Sequence, residues 1–98
     1  MSESDVNARL HIRVHGRVQG VGFRAHVEHV ARELGLTGWV RNVGYDRVEA
    51  VAEGPKGKLE KLEQSMRTGP LGSSVDEATP EWLDATGEFE FFVVRRSV

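Results

Sequence analysis

The chain has 98 residues, the length of one small domain, and its 13 Lys and Arg against 15 Asp and Glu give a formal net charge of −2. This charge excludes the strongly basic surface that nonspecific nucleic-acid binding requires, and the absence of cysteine excludes a disulfide framework, a thiolate nucleophile and a Cys-based metal site. No stretch reaches the roughly 18 apolar residues of a membrane span, so we expect a cytoplasmic protein without membrane or nucleic-acid partners.

The N-terminal half begins with a polar stretch, residues 1–8, for which we predict a flexible segment preceding one domain over residues 9–98. Strict alternation of apolar residues predicts a first strand over residues 9–15. Three glycines in residues 16–22 then indicate a tight loop. From Phe23 the apolar residues recur at helical spacing, which predicts a helix that ends at Gly35.

The remaining elements are two strands, a helix and two further strands. Residues 36–43 and 47–53 form a predicted hairpin, and Pro55 is placed at the first position of a helix that stops at Gly69. Residues 75–83, an edge strand or a bulged strand because of Pro80, and residues 88–96 are the last predicted strands.

The element order is therefore βαββαβ with an additional C-terminal strand. Right-handed crossovers fold this order into a mixed, mainly antiparallel sheet with two helices on one face. We predict an α+β protein with the ferredoxin-like α/β sandwich architecture.

The loop after the first strand has the ingredients of an anion site. Glycines permit successive main-chain N–H groups to converge, the adjoining helix N-terminus adds unpaired donors, and Arg24 adds a bidentate guanidinium. Asn42, at the end of the second strand, reaches the same edge of the sheet. From spacing alone, a glycine-rich turn without a ligand and an asparagine that only forms a turn before Gly44 remain open alternatives.

Two sequence motifs, which occur in the expected order along the chain, make this interpretation more specific. Residues 16–24, GRVQGVGFR, resemble the acylphosphatase signature G-x-V-Q-G-V-x-F-R at every specified position. Residues 38–42, GWVRN, resemble the second signature of the same family, G-W-V-x-N. The resemblance extends from about Arg9 to Arg96.

The resemblance implies hydrolysis of small acyl phosphates to a carboxylate and inorganic phosphate, without a metal or cofactor. It also implies that Arg24 binds the phosphate and that Asn42 orients the attacking water. We expect inorganic phosphate to be a competitive inhibitor and the protein to be a monomer. The loop residues implied in phosphate binding are Val18, Gln19, Gly20, Val21, Gly22 and Phe23.

Some features leave room for other interpretations. The family commonly has Asp-Gly in the hairpin turn where this chain has Tyr45-Asp46, so we expect Gly44 to adopt the positive φ. His26 and His29 are spaced i, i+3, but no acidic or cysteine partner follows at ligand spacing, so no metal is expected. The alternatives are a phosphate-binding regulatory domain without turnover and an RNA-binding module of the same element order.

Overall fold

The computed structural model describes residues 6–98, and these form five strands and two helices. Residues 1–5 of the predicted flexible segment lie outside this range. Asn7 and Ala8 of that segment are paired with Pro55 and Gly54 in the sheet, so the first strand begins before the predicted boundary at Arg9. The elements in chain order are β1 (Asn7–Arg17), α1 (Phe23–Glu33), β2 (Thr37–Val43), β3 (Arg47–Pro55), α2 (Lys56–Thr68), β4 (Ser74–Asp84) and β5 (Phe92–Val94).

The strands form one sheet in the order β4-β1-β3-β2-β5. β1 runs antiparallel to both β3 and β4, β2 runs antiparallel to β3, and β5 runs parallel to β2. This arrangement confirms the predicted ferredoxin-like α/β sandwich with a mixed, mainly antiparallel sheet and an additional C-terminal strand. It also places β3 between β1 and β2, so the loop after β1 and the end of β2 lie at the same edge.

One hydrophobic core holds both helices against one face of the sheet. Alternate residues of β1 (Leu10, Ile12 and Val14) are fully buried on that face, as period-2 alternation requires. The buried stripe of each helix covers them: Phe23, Val27 and Ala31 from α1, and Leu59, Leu62 and Met66 from α2. Because α1 begins with the buried Phe23, this packing also fixes the position of the helix N-terminus.

The last strand is much shorter than predicted. Strand-forming residues occupy positions 88–96, but only Phe92–Val94 form a strand beside β2, and Phe91, Arg95 and Val98 add single hydrogen bonds to it. The preceding chain is held elsewhere, because the Glu53 carboxylate accepts hydrogen bonds from the main-chain N–H groups of Thr86 and Gly87, both at 2.9 Å. The prediction for residues 88–96 was therefore wrong in extent.

Two other predicted boundaries differ from the structure. Pro55 is the last residue of β3 and the N-cap of α2, with φ −59° and ψ 136°, rather than the first helical residue. Leu36 precedes β2 because its N–H donates to the carbonyl of Ala31 at 2.9 Å and closes the end of α1. Pro55 ends β3 and Leu36 closes α1, so in each case the next element begins one residue later than predicted.

The face of the sheet without helices carries buried carboxylates on β3. Burial alone would raise the pKa of Glu49, but hydrogen bonds from His11 and Arg41 outweigh it and hold the pKa below its ordinary value. Burial also disfavours the charged form of Glu53, yet its four hydrogen bonds from Thr86, Gly87 and Arg9 lower its pKa to about 2. Both carboxylates are therefore structural anions.

The two glycines of the hairpin region have separate roles. Gly44 has φ 60°, as predicted for the turn between β2 and β3. Gly38 permits close strand contact, because a Cβ atom at that position would lie 1.9 Å from the main-chain oxygen of Val51. The glycine that opens the second motif thus allows β2 to pair with β3, which carries Asn42 to its place at the end of β2.

Candidate active site

The loop between β1 and α1, residues 18–22, is shaped by two glycines in left-handed conformation. Gly20 has φ 73° and Gly22 has φ 75°, values that side-chain-bearing residues rarely adopt. Gly22 is the N-cap of α1, and its carbonyl accepts a hydrogen bond from the N–H of His26 at 3.0 Å. These dihedrals turn the chain directly from the end of β1 into the helix.

This turn leaves a run of main-chain donors unused. Within residues 6–98, the N–H groups of residues 19–25 make no hydrogen bond, whereas the N–H of Val18 donates to Gly16 at 3.0 Å. The first turn of α1 also contains no acidic residue that could neutralise the positive end of the helix dipole. The loop and helix N-terminus therefore offer unpaired donors and positive potential, the combination that binds an anion.

Arg24 is the second residue of α1 and is half-buried. Its Nη1 atom donates to the carbonyl oxygen of Arg95 at 3.5 Å, the limit of hydrogen-bond distance. This long contact orients the side chain and uses only one of the five N–H donors of the guanidinium. The remaining donors are available for a ligand.

Asn42 lies on the other side of the same region, next to the last residue of β2. Its main-chain oxygen accepts a hydrogen bond from the N–H of Val98 at 3.0 Å, which fixes the backbone. In the part of the chain that the structure describes, its half-buried carboxamide has no hydrogen-bond partner. That side chain can therefore offer both its oxygen and its NH₂ group to other molecules.

Arg24 and Asn42 line one cavity of about 320 Å³, together with most of the loop. Of the predicted loop residues, Val21 is the exception, because its side chain packs against the hydrophobic core. Sequence reasoning missed three lining residues: Ala25, Glu28 and Val94. Glu28 follows Arg24 by four residues, so helical spacing alone could have placed it on the same face. The lining residues are Val18, Gln19, Gly20, Gly22, Phe23, Arg24, Ala25, Glu28, Asn42 and Val94.

The side chain of Gln19 ties the loop to the hairpin between β2 and β3. Its Nε2 atom donates to the carbonyl oxygens of Val43 at 3.3 Å, Gly44 at 3.0 Å and Arg47 at 3.0 Å. The amide group of Gln19 is therefore engaged in a structural link. Only its main-chain N–H remains among the unpaired donors of the loop.

The histidines considered as metal ligands have other partners. His26 Nε2 lies 2.9 Å from the Ser65 hydroxyl, and His29 Nε2 lies 3.3 Å from the carboxylate of Glu33. Across residues 6–98, no group of three or more His, Asp or Glu side chains is arranged to hold a metal ion. Over the same range, neither helix has the length and apolar character needed to span a membrane.

Comparisons with known proteins agree on one family. The acylphosphatase family model matches residues 10–94. An acylphosphatase from Marinobacter nauticus is 51% identical over 84 residues, which cover 86% of this chain and 91% of that protein. The solved acylphosphatase of Coxiella burnetii superposes with a TM-score of 0.86 at 36% identity, covering 92% of this chain and 94% of that one. The Bacillus subtilis acylphosphatase also gives a TM-score of 0.86, at 34% identity over 90% of this chain and 98% of that one.

The family match thus covers both motifs, the cavity that they line and nearly all of the described sheet. The chain belongs to the acylphosphatase family.

Proposed function

We propose that this chain hydrolyses small acyl phosphates to a carboxylate and inorganic phosphate in the cavity between α1, β2 and the loop of residues 18–22. The observation that carries the proposal is the shared cavity of Arg24, Asn42 and the loop whose main-chain donors are unused. Family membership supports the reaction, and the geometry supports the role of each group.

In this proposal, the phosphate group of the substrate occupies the end of the cavity formed by the loop and the helix N-terminus. The main-chain N–H groups of residues 19–25 and the guanidinium of Arg24 donate hydrogen bonds to its oxygens. Such preorganised donors stabilise the charge that develops on the transferred phosphoryl group. The side chains of Val18 and Phe23 are nearly fully buried, so they anchor the loop in the hydrophobic core.

Asn42 positions the nucleophile. The carboxamide oxygen accepts a hydrogen from water, while the NH₂ group donates to the phosphoryl group only as charge develops in the transition state, and the carboxamide stays neutral at all working pH values. The water oxygen forms a bond to phosphorus as the bond between phosphorus and the acyl oxygen breaks. The acyl group leaves as a carboxylate, and the proton of the water passes to a phosphate oxygen, which yields dihydrogen phosphate.

This chemistry needs no cofactor and no strong general acid, because a carboxylate is a stable leaving group. Positioning and charge stabilisation can then supply most of the rate enhancement. The RNA-binding alternative is disfavoured by β3, whose helix-free face presents the buried carboxylates Glu49 and Glu53 where base-stacking rings would be needed. No observation favours a regulatory domain without turnover.

The proposal extends to the partners and organisation of the protein. The product phosphate competes with substrate for the same donors, so it should inhibit competitively. We also propose a cytoplasmic monomer, without nucleic-acid or membrane partners, in which residues 9–98, together with Asn7 and Ala8 of β1, form one catalytic domain. The net charge of −2 supports the expectation of no nucleic-acid partner, and the single hydrophobic core supports the expectation of one domain.

The test is hydrolysis of benzoyl phosphate by the purified full chain in the presence and absence of a chelator. We expect turnover in both conditions, with competitive inhibition by inorganic phosphate. If the protein hydrolyses neither benzoyl phosphate nor acetyl phosphate, the proposed function is overturned. If turnover is lost when chelator is added, the metal-independent mechanism is overturned. Sedimentation of the same sample tests the monomer.

A further inference from the structure

Val94 is an exposed apolar side chain on the wall of the phosphate cavity. It is the last residue of β5 and pairs with Val40 of β2. Because strand residues alternate between faces, Val94 lies on the same face as the buried Phe92, whereas Val93 lies on the opposite face. Val94 is 40% exposed and borders the cavity that Arg24 and Asn42 also line.

A second lining residue gives this wall a charge opposite to that of the phosphate-binding end. Glu28 lies one helical turn after Arg24 on α1, farther from the helix N-terminus. Its carboxylate forms an ion pair with Arg32 at 3.2 Å and remains partly accessible, at 29% exposure. The cavity lining therefore combines cationic donors with one exposed apolar and one anionic side chain.

The size of the cavity leaves room for more than a phosphate group. Its volume of about 320 Å³ is at the lower end of the range for sites that bind whole small molecules. The acyl group of a bound substrate must extend from the phosphate along the remaining wall. Val94 and Glu28 are the side chains that β5 and the second turn of α1 contribute to it.

We propose that Val94 and Glu28 form an acyl wall that selects acyl phosphates with an apolar, uncharged acyl group. This inference rests on the function proposed above and specifies its substrate class. The methyl groups of Val94 lose contact with water when an apolar acyl group covers them, which favours binding. The carboxylate of Glu28 disfavours an acyl group that carries its own negative charge.

The direct test compares Val94→Ala with Val93→Ala, using benzoyl phosphate and acetyl phosphate as substrates. Both valines lie on β5 and are 40% exposed, but only Val94 lines the cavity. For Val94→Ala we expect KM for benzoyl phosphate to rise roughly fivefold, with kcat nearly unchanged and a less than twofold effect on acetyl phosphate. Val93→Ala should leave both substrates unaffected.

A second variant tests the anionic part of the wall. Succinyl phosphate carries a carboxylate at the far end of its acyl group, so wild-type protein should hydrolyse it with a lower kcat/KM than benzoyl phosphate. Glu28→Gln should raise the ratio of kcat/KM for succinyl phosphate to that for benzoyl phosphate about threefold or more. A general gain in phosphate affinity would change kcat/KM for both substrates equally, so it cancels in this ratio.

The outcomes separate this inference from the proposed function. If wild-type protein hydrolyses benzoyl phosphate and Val94→Ala changes KM for both substrates equally or not at all, the role of Val94 is overturned. An unchanged ratio in Glu28→Gln overturns the role of Glu28. If wild-type protein hydrolyses none of the three substrates, the proposed function itself fails.

Discussion

The Nε2 atom of Gln19 lies 3.0 Å from the main-chain oxygen of Arg47, and this contact joins the phosphate loop to the first residue of β3. The same atom also contacts the carbonyls of Val43 and Gly44, which directly follow Asn42. The loop that provides main-chain donors and the strand end that provides the carboxamide are therefore held together by one side chain. Their relative position is set before any substrate binds.

Replacement of Gln19 should weaken both stability and substrate binding. Gln19→Ala removes the shared donor, so we expect unfolding free energy to fall by about 1–2 kcal/mol and KM for benzoyl phosphate to rise. Gln19→Glu should cost more, because a carboxylate cannot donate to the three carbonyls and repels them. Urea unfolding and steady-state kinetics measure the two effects. Gln64→Ala, on the exposed side of α2, is the matched control, and equal effects of Gln19→Ala and Gln64→Ala would contradict the link.

Arg24→Ala should abolish most of the activity while the fold persists. Loss of a preorganised donor to the reacting group costs about 100-fold or more in kcat, and within residues 6–98 the long hydrogen bond to Arg95 is the only one that the Arg24 side chain makes. The rate of benzoyl phosphate hydrolysis and the circular dichroism spectrum provide the measurement. Arg67→Ala on α2 removes an arginine that pairs one helical turn away with Glu63, and it should retain full activity. A wild-type rate in Arg24→Ala would remove the guanidinium from the mechanism.

Asn42→Ala should separate catalysis from phosphate binding. Because we assign Asn42 to the water, we expect kcat to fall by about 100-fold or more while the inhibition constant of inorganic phosphate stays nearly unchanged. The chain offers a control in Asn7→Ala, since Asn7 lies at the opposite end of the sheet beside Pro55. If phosphate inhibition disappears in Asn42→Ala, Asn42 is a phosphate ligand instead.

The pKa of about 2 for Glu53 predicts a specific loss of stability in acid. An unfolded-state pKa near 4.5 means that the unfolded chain takes up a proton first, so the contribution of Glu53 is present above pH 4.5 and is lost as the pH falls towards 2. Its magnitude is about 3 kcal/mol. We expect Glu53→Gln to be less stable than wild type at pH 7, with a difference that shrinks between pH 4.5 and pH 2.

Urea unfolding at several pH values tests this prediction, with Glu60→Gln on the exposed side of α2 as the control. A constant difference between wild type and Glu53→Gln across the acid range would show that the carboxylate is not held in its charged form. Titration of the Glu53 carboxylate by NMR gives the same answer independently.

Most of the fold could be predicted from local patterns. The alternation in β1 and the helical spacing that begins at Phe23 are strong because each buries one side of its element in the core. The extent of β5 could not be predicted in this way. Residues 88–96 have strand-forming composition throughout, but the contact between Glu53 and Thr86 holds the chain before them, and that contact joins residues far apart in sequence.

The functional site also combines features that local sequence patterns predict with features that only the folded structure shows. That Arg24 and Asn42 share one cavity could be expected, because two short motifs carry them and the order of strands brings the motifs together. The link made by Gln19 and the wall position of Val94 depend on side-chain direction and on the parallel pairing of β5 with β2. No local sequence pattern indicates the Gln19 link or the position of Val94, so only the folded structure shows them.

The sheet order has a consequence for how the protein reaches its native state. β1 lies between β3 and β4, and its pairing with β4 places Ala8 opposite Asp84. The pairing of β1 with β4 therefore joins residues that are 57 to 76 positions apart in the chain, from Arg17 with Ser74 to Ala8 with Asp84. Such non-local pairing is typical of slow folding, and we expect the pairing of β4 with β1 to be a late, cooperative step of folding.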